Sequence, residues 1–538
     1  MEGHTELVFA GLLGAVAALV TLARVLSVPY PIFLVLGGLA IGFIPGVPEV
    51  ELEPDLVLVL FLPPLLYSAA FFTSLRDLRR NVRPISLLSI GLVLATCVGV
   101  ALVAREVIPG MSWPAAFLLG AIVSPTDPVA ATALASRLGL PRRVVTVVEG
   151  EALINDATAI TAYRVALAAV VSGSFGLVDA GGRFLVGAVG GIAIGLAVGW
   201  VVAWVRERID DPPVEITISL LTAYLAYLPA EELELSGVVA AVTAGLYMGS
   251  QTSRVTTTNS RLAGYSMWEL LTFLLNSVLF ILIGLQLPGL LDELREADIA
   301  TGTVILWGAC ASLAVIVIRI VWVFVLTYLP RRLFASVRES DPAPPARTTA
   351  LVAWMGMRGA VSLAAALALP TTLENGAPFT ERPVIIFITF CVILATLVLQ
   401  GLSLQLLVRA LHIEEDDDGF GREEVIARKR AARAALEQIE ALSGEEWARD
   451  DTLERLRGLY RYRYNRYASR FDEQLDQDGI ERRSADFLRV SFAIIQAQRD
   501  ELDRLRRDGT ISDEVMRVVE RELDLEEQRF PAAQSPGG

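Results

Sequence analysis

Histidine, lysine and cysteine are almost missing from this 538-residue chain. Two histidines, His4 and His412, cannot assemble a His-based metal site. Lys429 is the one lysine, so basic charge is nearly all arginine. Cys97, Cys310 and Cys391 fall inside apolar runs and read as small core residues, not as a disulfide or metal set. Charge itself is scarce, at 20% of residues, and unevenly placed: residues 1–412 hold 53 Asp, Glu, Lys and Arg, and the last 126 residues hold another 53. These shortages exclude a single soluble enzyme, a secreted disulfide scaffold and a disordered protein. The net charge of −14 argues against a nucleic-acid partner.

What the chain has instead is apolar length. Hydrophobic residues make up 54% of it, and the mean hydropathy is +0.53. A bilayer core needs roughly 20 apolar residues per helix. About 13 such runs occur, and they are numbered here as spans 1 to 13: 6–25, 27–45, 55–74, 84–107, 112–136, 144–171, 182–205, 213–229, 236–250, 265–287, 300–328, 348–369 and 383–408. The first has no cationic start or cleavage site and reads as a retained span. The last has a possible break at Gly401. Alternate loops, beginning at Arg24 and continuing through Arg76 to Arg83, Arg137 to Arg143, Arg206 to Arg208, Arg254 to Arg261 and Arg331 to Arg347, carry 16 basic residues. The other side carries Arg105, Arg183, Arg295 and Arg382, with acidic loops such as Glu49 to Glu53. The positive-inside rule then puts the N-terminus outside and the tail in the cytoplasm. Gly38 to Gly42 in span 2 and Gly245 to Gly249 in span 9 are alike, in spans of opposite direction. The match is either an inverted repeat or the small-residue spacing of close helix packing.

Three constellations place ionisable groups where a membrane penalises them by at least ~2.5–3.5 kcal/mol each. In span 5, Ser124-Pro125-Thr126-Asp127-Pro128 puts two prolines three apart, which removes backbone donors and breaks the helix. The freed carbonyls, the Thr126 hydroxyl and the Asp127 carboxylate are hard oxygen donors suited to a small cation such as Na⁺, in a broken helix that must line protein or a watery cavity. In span 6, Glu149-Gly150-Glu151-Ala152-Leu153-Ile154-Asn155-Asp156 sets Glu151 and Asn155 on one helical face and Asp156, Ala152 and Glu149 on another. Burial favours a protonated carboxyl and an arriving cation favours the ionised one, so Asp156, the deeper acid, can hold either H⁺ or a metal ion. Glu149 reads as an entrance or water-facing residue. In span 12, Trp354-Met355-Gly356-Met357-Arg358-Gly359 holds an arginine that stays charged. Glu151 is its expected partner, because pairing with Asp156 would block titration. Arg319 in span 11 reads as a packing cation with an anionic partner of its own.

The sequence resembles the monovalent cation:proton antiporters of the NhaP and sodium/proton exchanger type. The matching pieces are Leu62-Pro63-Pro64-Leu65-Leu66-Tyr67, Ser124 to Ala130, Glu149-Gly150-Glu151 with Asn155 to Ala159, Leu235-Ser236-Gly237, and Gly356 to Ser362, in the family's order. The resemblance implies an all-α membrane protein with an inverted repeat, two crossing broken helices, a homodimer and alternating access. It implies that Asp156 carries the ion and the proton, that Asp127 and Thr126 line the site with Asn155 adjoining, that Glu151 and Arg358 form a structural brace, and that no cofactor is needed. Two departures bear on ion choice: Ala152 stands where the family often has Ser, and Ser68 where some members carry an acid.

After His412 the composition changes, which divides the chain into a transmembrane antiporter domain, 1–412, and a cytoplasmic helical domain, 413–538. Helices are expected near 422–442, 449–475, 481–507 and 512–527, behind an acidic linker, Glu414 to Gly419. Tyr460-Arg461-Tyr462-Arg463-Tyr464-Asn465-Arg466-Tyr467 is either a face with Tyr packed inward or a contact for anionic lipid. The expected function is exchange of Na⁺ for H⁺ across the cell membrane, electroneutral, for pH and sodium homeostasis, with K⁺ or Li⁺ as alternative ions. A cation channel would need a continuous multi-site pore, whereas the ionisable residues cluster in spans 5, 6 and 12. An intramembrane carboxylate hydrolase would need Asp127 and Asp156 to share a proton, which a nearby Arg358 disfavours.

Overall fold

The computed structural model describes residues 2–26, 28–45, 57–127, 129, 132, 135, 138, 140–172, 177–296, 299–374, 376–413, 420–445, 447–469 and 480–527. The acidic linker, the loop Glu49 to Glu53, and Pro128 lie outside them. By its contacts the chain divides into two compact units, Met1–Glu415 and Asp416–Gly538.

Each of the thirteen apolar runs carries helix, and among the described residues no strand occurs. Among the described residues, seven helices are long and apolar enough to cross a membrane on their own, including Val82–Val107, Arg142–Val171, Thr301–Leu333 and Arg382–Ala410; Tyr30–Gly42, Val59–Phe72 and Trp113–Ile122 are shorter apolar helices. The protein is an integral, multi-pass membrane protein. Span 13 is not broken at Gly401. It widens into a π-helical turn, Thr396–Gln400, and continues as Gly401–Ala410.

The packing shows the inverted repeat. Span 2 lies along span 10, and span 9 lies along span 3. Exchanging the halves, so that 2 corresponds to 9 and 3 to 10, maps the first pair onto the second. The glycines that the two halves share are what allow the approach: a Cβ on Gly38 would meet the Ile281 carbonyl at 2.2 Å, and one on Gly249 the Phe71 carbonyl at 2.2 Å. Spans 5 and 12, which correspond in the same way, are the two broken helices. Span 5 is helical from Trp113 to Ile122 and unwound over Ser124 to Asp127. Span 12 is helical over Ala346–Trp354, unwound from Met355 to Gly359, and helical again over Ala360–Leu367. The unwound stretches cross and bond directly, the Asp127 amide donating to the Met357 carbonyl at 2.8 Å.

In the second unit, Phe420–Ala441 and Asp450–Ser469 pair, with Lys429 over the Tyr464 ring and Arg428 over that of Tyr467. Those two tyrosines of the basic-aromatic run therefore pack within the helix pair. Ile480–Arg507 and Asp513–Glu527 form a hairpin, pinned by Arg499 to Asp524 at 2.6 Å and Glu527 at 2.5 Å.

Candidate functional site

Breaking two helices at one point leaves two half-helix C-termini with unpaired carbonyls and partial negative charge, and two N-termini with the opposite. Each C-terminus receives an arginine. Arg358, fully buried, donates from Nε to the Val123 carbonyl at 3.1 Å, at the end of the first half of span 5, and from Nη1 to the Gly356 carbonyl. Its amide donates to the Thr396 hydroxyl at 3.1 Å. Arg319, also fully buried, donates from Nη2 to the carbonyls of Val352 and Met355, both at 3.1 Å, at the end of the first half of span 12.

Glu151 pairs with Arg319 and not with Arg358. Its carboxylate takes both Arg319 nitrogens, Nη2 at 2.8 Å and Nη1 closer still, and accepts the Thr126 hydroxyl at 3.1 Å. The expected Glu151–Arg358 pair is thus replaced by one with span 11. The physical reason is demand: Arg358 is held by the carbonyls of its own unwound segment and of span 5, and Arg319 is the cation whose fork reaches both Glu151 and span 12. Asn155, on the same face of span 6, donates Nδ2 to the Thr126 hydroxyl at 2.7 Å and to the Thr126 carbonyl at 3.3 Å. Its Oδ1 is buried without a partner among the described residues.

The other face of span 6 opens on a cavity of about 840 Å³. Asp156, Asp127, Thr126, Ala152, Glu149 and Ser362 line it, together with Tyr30, Ser68 and Glu269. Asp127 accepts the Val129 amide on Oδ1 at 2.8 Å. On its other side it lies against Gly359, where a Cβ would stand 1.8 Å from Oδ2. The carboxylate therefore sits at the start of the second half of span 12, Ala360–Leu367, where peptide dipoles favour negative charge. Asp156 is 7% exposed, and among the described residues no hydrogen bond or ion pair is formed by it.

The structure thus brings Asp127, Asp156 and Thr126 to one cavity and places Asn155 behind Thr126, outside the lining set. Sequence reasoning missed Gly359, whose lack of a side chain admits Asp127, and the contributions of Tyr30, Glu269 and Ser362. The signal for Glu269 was present: it is a carboxylate inside the apolar run of span 10. Among the described residues no cluster of three or more His, Cys, Asp or Glu forms a metal site. A cation entering here meets two carboxylates and neutral oxygens, a donor set suited to loose, reversible binding of a hard monovalent ion. Glu149 and Glu269 line the same cavity and add negative charge to it.

Residues 12–410 match the family described as sodium/hydrogen exchanger, transmembrane. The chain is 38% identical over 533 residues to an uncharacterized Na⁺/H⁺ exchanger of Mycobacterium tuberculosis, covering 98% of this chain and 97% of the relative. It is 30% identical over 502 residues to the sodium, potassium, lithium and rubidium/H⁺ antiporter of Bacillus subtilis, covering 92% and 73%. It is 33% identical over 419 residues to the low-affinity Na⁺/H⁺ antiporter NhaS1 of Synechocystis, covering 77% and 76%. In fold it is similar to the sodium proton antiporter MjNhaP1 of Methanocaldococcus jannaschii, with a TM-score of 0.59, 21% identity, and cover of 76% of this chain and 100% of that one.

Proposed function

The chain belongs to the sodium/hydrogen exchanger family, a family of cation/proton antiporters, and on that premise we propose that it exchanges Na⁺ for H⁺ one for one at Asp156. The observation that carries this is the inequality of three buried acids. Glu151 is saturated by Arg319 and Thr126. Asp127 is held by the Val129 amide and lies at the start of Ala360–Leu367. Of the three, Asp156 is the one without a fixed partner among the described residues, so its charge can be met by a proton or by a cation in turn. Each form suits one step: a bound proton or a bound Na⁺ neutralises the carboxylate and permits the buried site to move between the two sides, and the bare anion does not.

The cavity is walled by the end of span 3, the start of span 6 and the first part of span 10. In the positive-inside orientation these are cytoplasmic ends, so this conformation is read as inward-open. Alternating access then requires the crossing to shift against the rest of the bundle, closing this mouth and opening the other. Asp127, with Thr126 braced by Asn155, supplies fixed oxygens beside the moving charge. On this reading the protein works in the cell membrane as a homodimer with the tail in the cytoplasm, for pH and sodium homeostasis, and residues 413–538 act as a separate helical domain. Ala152 and Ser68 both line the cavity; with a hydroxyl and an acid absent there, the site has fewer ligands, and K⁺ or Li⁺ is the second reading. The Bacillus subtilis relative, named for four ions, favours testing it. Dequenching of a pH-sensitive dye in proteoliposomes, titrated with Na⁺, K⁺ and Li⁺, separates the cases. Half-saturation lowest for Na⁺ supports the proposal, and no ion-driven dequenching overturns it.

A further inference from the structure

A second cavity lies away from the ion site and is not used by the exchange described above. It is a notch of about 100 Å³ between the ends of spans 4, 6, 11 and 12. Its walls are apolar: Leu87, Leu88, Val147, Trp322, Leu326 and Val352. Arg83, Arg143 and Arg331 line it as well, with Asp341 as their acidic neighbour. Asp341 is shared, accepting Arg143 at 3.1 Å and Arg331 more closely. Three cations against one carboxylate leave a surplus of two positive charges. Arg331 is committed through all three of its nitrogens, to Asp341 and to the Thr327 carbonyl. Arg143 also holds Asn81. Arg83 is half-buried and makes no hydrogen bond or ion pair among the described residues.

The notch is built and not a packing defect. The π-helical turn Leu87–Leu92 presents the Leu87 carbonyl to the Trp322 indole N–H at 3.0 Å. The ring closes over Gly91, where a Cβ would stand 2.7 Å away. The same helices carry exposed Ile90, Val325 and Leu329, as a surface facing acyl chains does. We infer that this notch binds an anionic phospholipid, its phosphate on Arg83 with Arg143 beside it and the start of one acyl chain against Trp322 and Leu326. The occupant follows from the chemistry: an uncompensated arginine asks for an anion, the walls ask for hydrocarbon, and the position at the arginine-rich end of the bundle is where both belong to one molecule. Because spans 4, 6, 11 and 12 also carry Arg319, Glu151, Asp156 and the span 12 break, a lipid wedged at their ends would brace the helices of the exchange site.

The test uses the purified full-length chain in detergent, mixed with equimolar dioleoyl-phosphatidylglycerol and dioleoyl-phosphatidylcholine, and native mass spectrometry to count retained lipid. The wild type should retain phosphatidylglycerol preferentially. Arg83→Gln should weaken that preference about fivefold, the effect of one arginine at an anionic headgroup; Arg83 has no internal partner to lose among the described residues, so the fold should hold. Leu326→Trp, which fills the notch with every arginine in place, should weaken it as well, and excess glycerol phosphate should not displace the lipid. Equal retention of the two lipids, or a preference untouched by both variants, overturns the assignment. So does displacement by glycerol phosphate, which would make the site a free-phosphate one.

Discussion

The two faces of span 6 differ in one respect that organises the site. On the face of Glu151 and Asn155, the polar groups are tied: Glu151 to Arg319 and Thr126, and the Asn155 amide to Thr126. On the face of Asp156, one helical step away, the carboxylate looks into a cavity and has no partner among the described residues. Both acids are buried in the same helix. The first is tied to a fixed cation, and the second, among the described residues, is not. On the proposed reading, burial alone does not make a carrier; burial without a fixed counter-charge does.

Substitutions on each face can break that comparison. The largest effect is expected on the open face. Asp156→Asn removes the proposed carrier without unpairing any group among the described residues, so exchange in proteoliposomes should be abolished while the thermal melt of the purified protein stays near that of wild type. Wild-type rates in the variant would refute the assignment. Next is Gly359→Ala. The new methyl would stand where the Asp127 carboxylate is, and a displacement of about 1 Å in a reacting geometry can cost on the order of 100-fold. Cation-driven turnover should fall by about that factor, with half-saturation raised; an unchanged half-saturation would mean that Asp127 does not contact the ion.

On the tied face the expected loss is stability. Arg319→Ala leaves Glu151 as an uncompensated buried charge, at a cost of about 3–5 kcal/mol. Adding Glu151→Gln to it should recover part of that loss in thermal melts. The same addition to Arg358→Ala should recover little, because Arg358 bonds carbonyls and not Glu151; losing charge-assisted bonds of that kind costs about 1.5–3 kcal/mol. Equal recovery on both backgrounds would mean that the two arginines share the acid. The smallest expected effect is that of membrane potential. If Asp127 keeps its charge throughout, one Na⁺ replaces one H⁺ and no net charge moves. A K⁺ gradient with valinomycin should then leave the Na⁺-driven pH change unaltered, whereas each net charge moved would contribute about 2.3 kcal/mol per 100 mV.

Much of this was legible in the sequence, for identifiable reasons. Span positions follow from apolar length. The break in span 5 follows from Pro125 and Pro128. The break in span 12 has no proline to announce it: only Gly356 and Gly359 mark it, and glycine is common in membrane helices; the resemblance implied a second broken helix but not where it lies. The partner of Glu151 could not be read, because two arginines in neighbouring spans offer the same charge. The crossing decides between them, by giving each arginine a different set of carbonyls to cap. The cavity lining was only partly legible, since Tyr30 and Glu269 reach it from spans distant in sequence.

The central claim is that one carboxylate carries the proton and the cation alternately. Its most direct test is proton release from the purified, unbuffered protein on addition of Na⁺, followed by pH electrode alongside calorimetric counting of bound Na⁺. The wild type should release one H⁺ for each Na⁺ bound, and Asp156→Asn should release none. Two protons per ion, or release that survives in Asp156→Asn, would contradict the claim and make Asp127 a carrier.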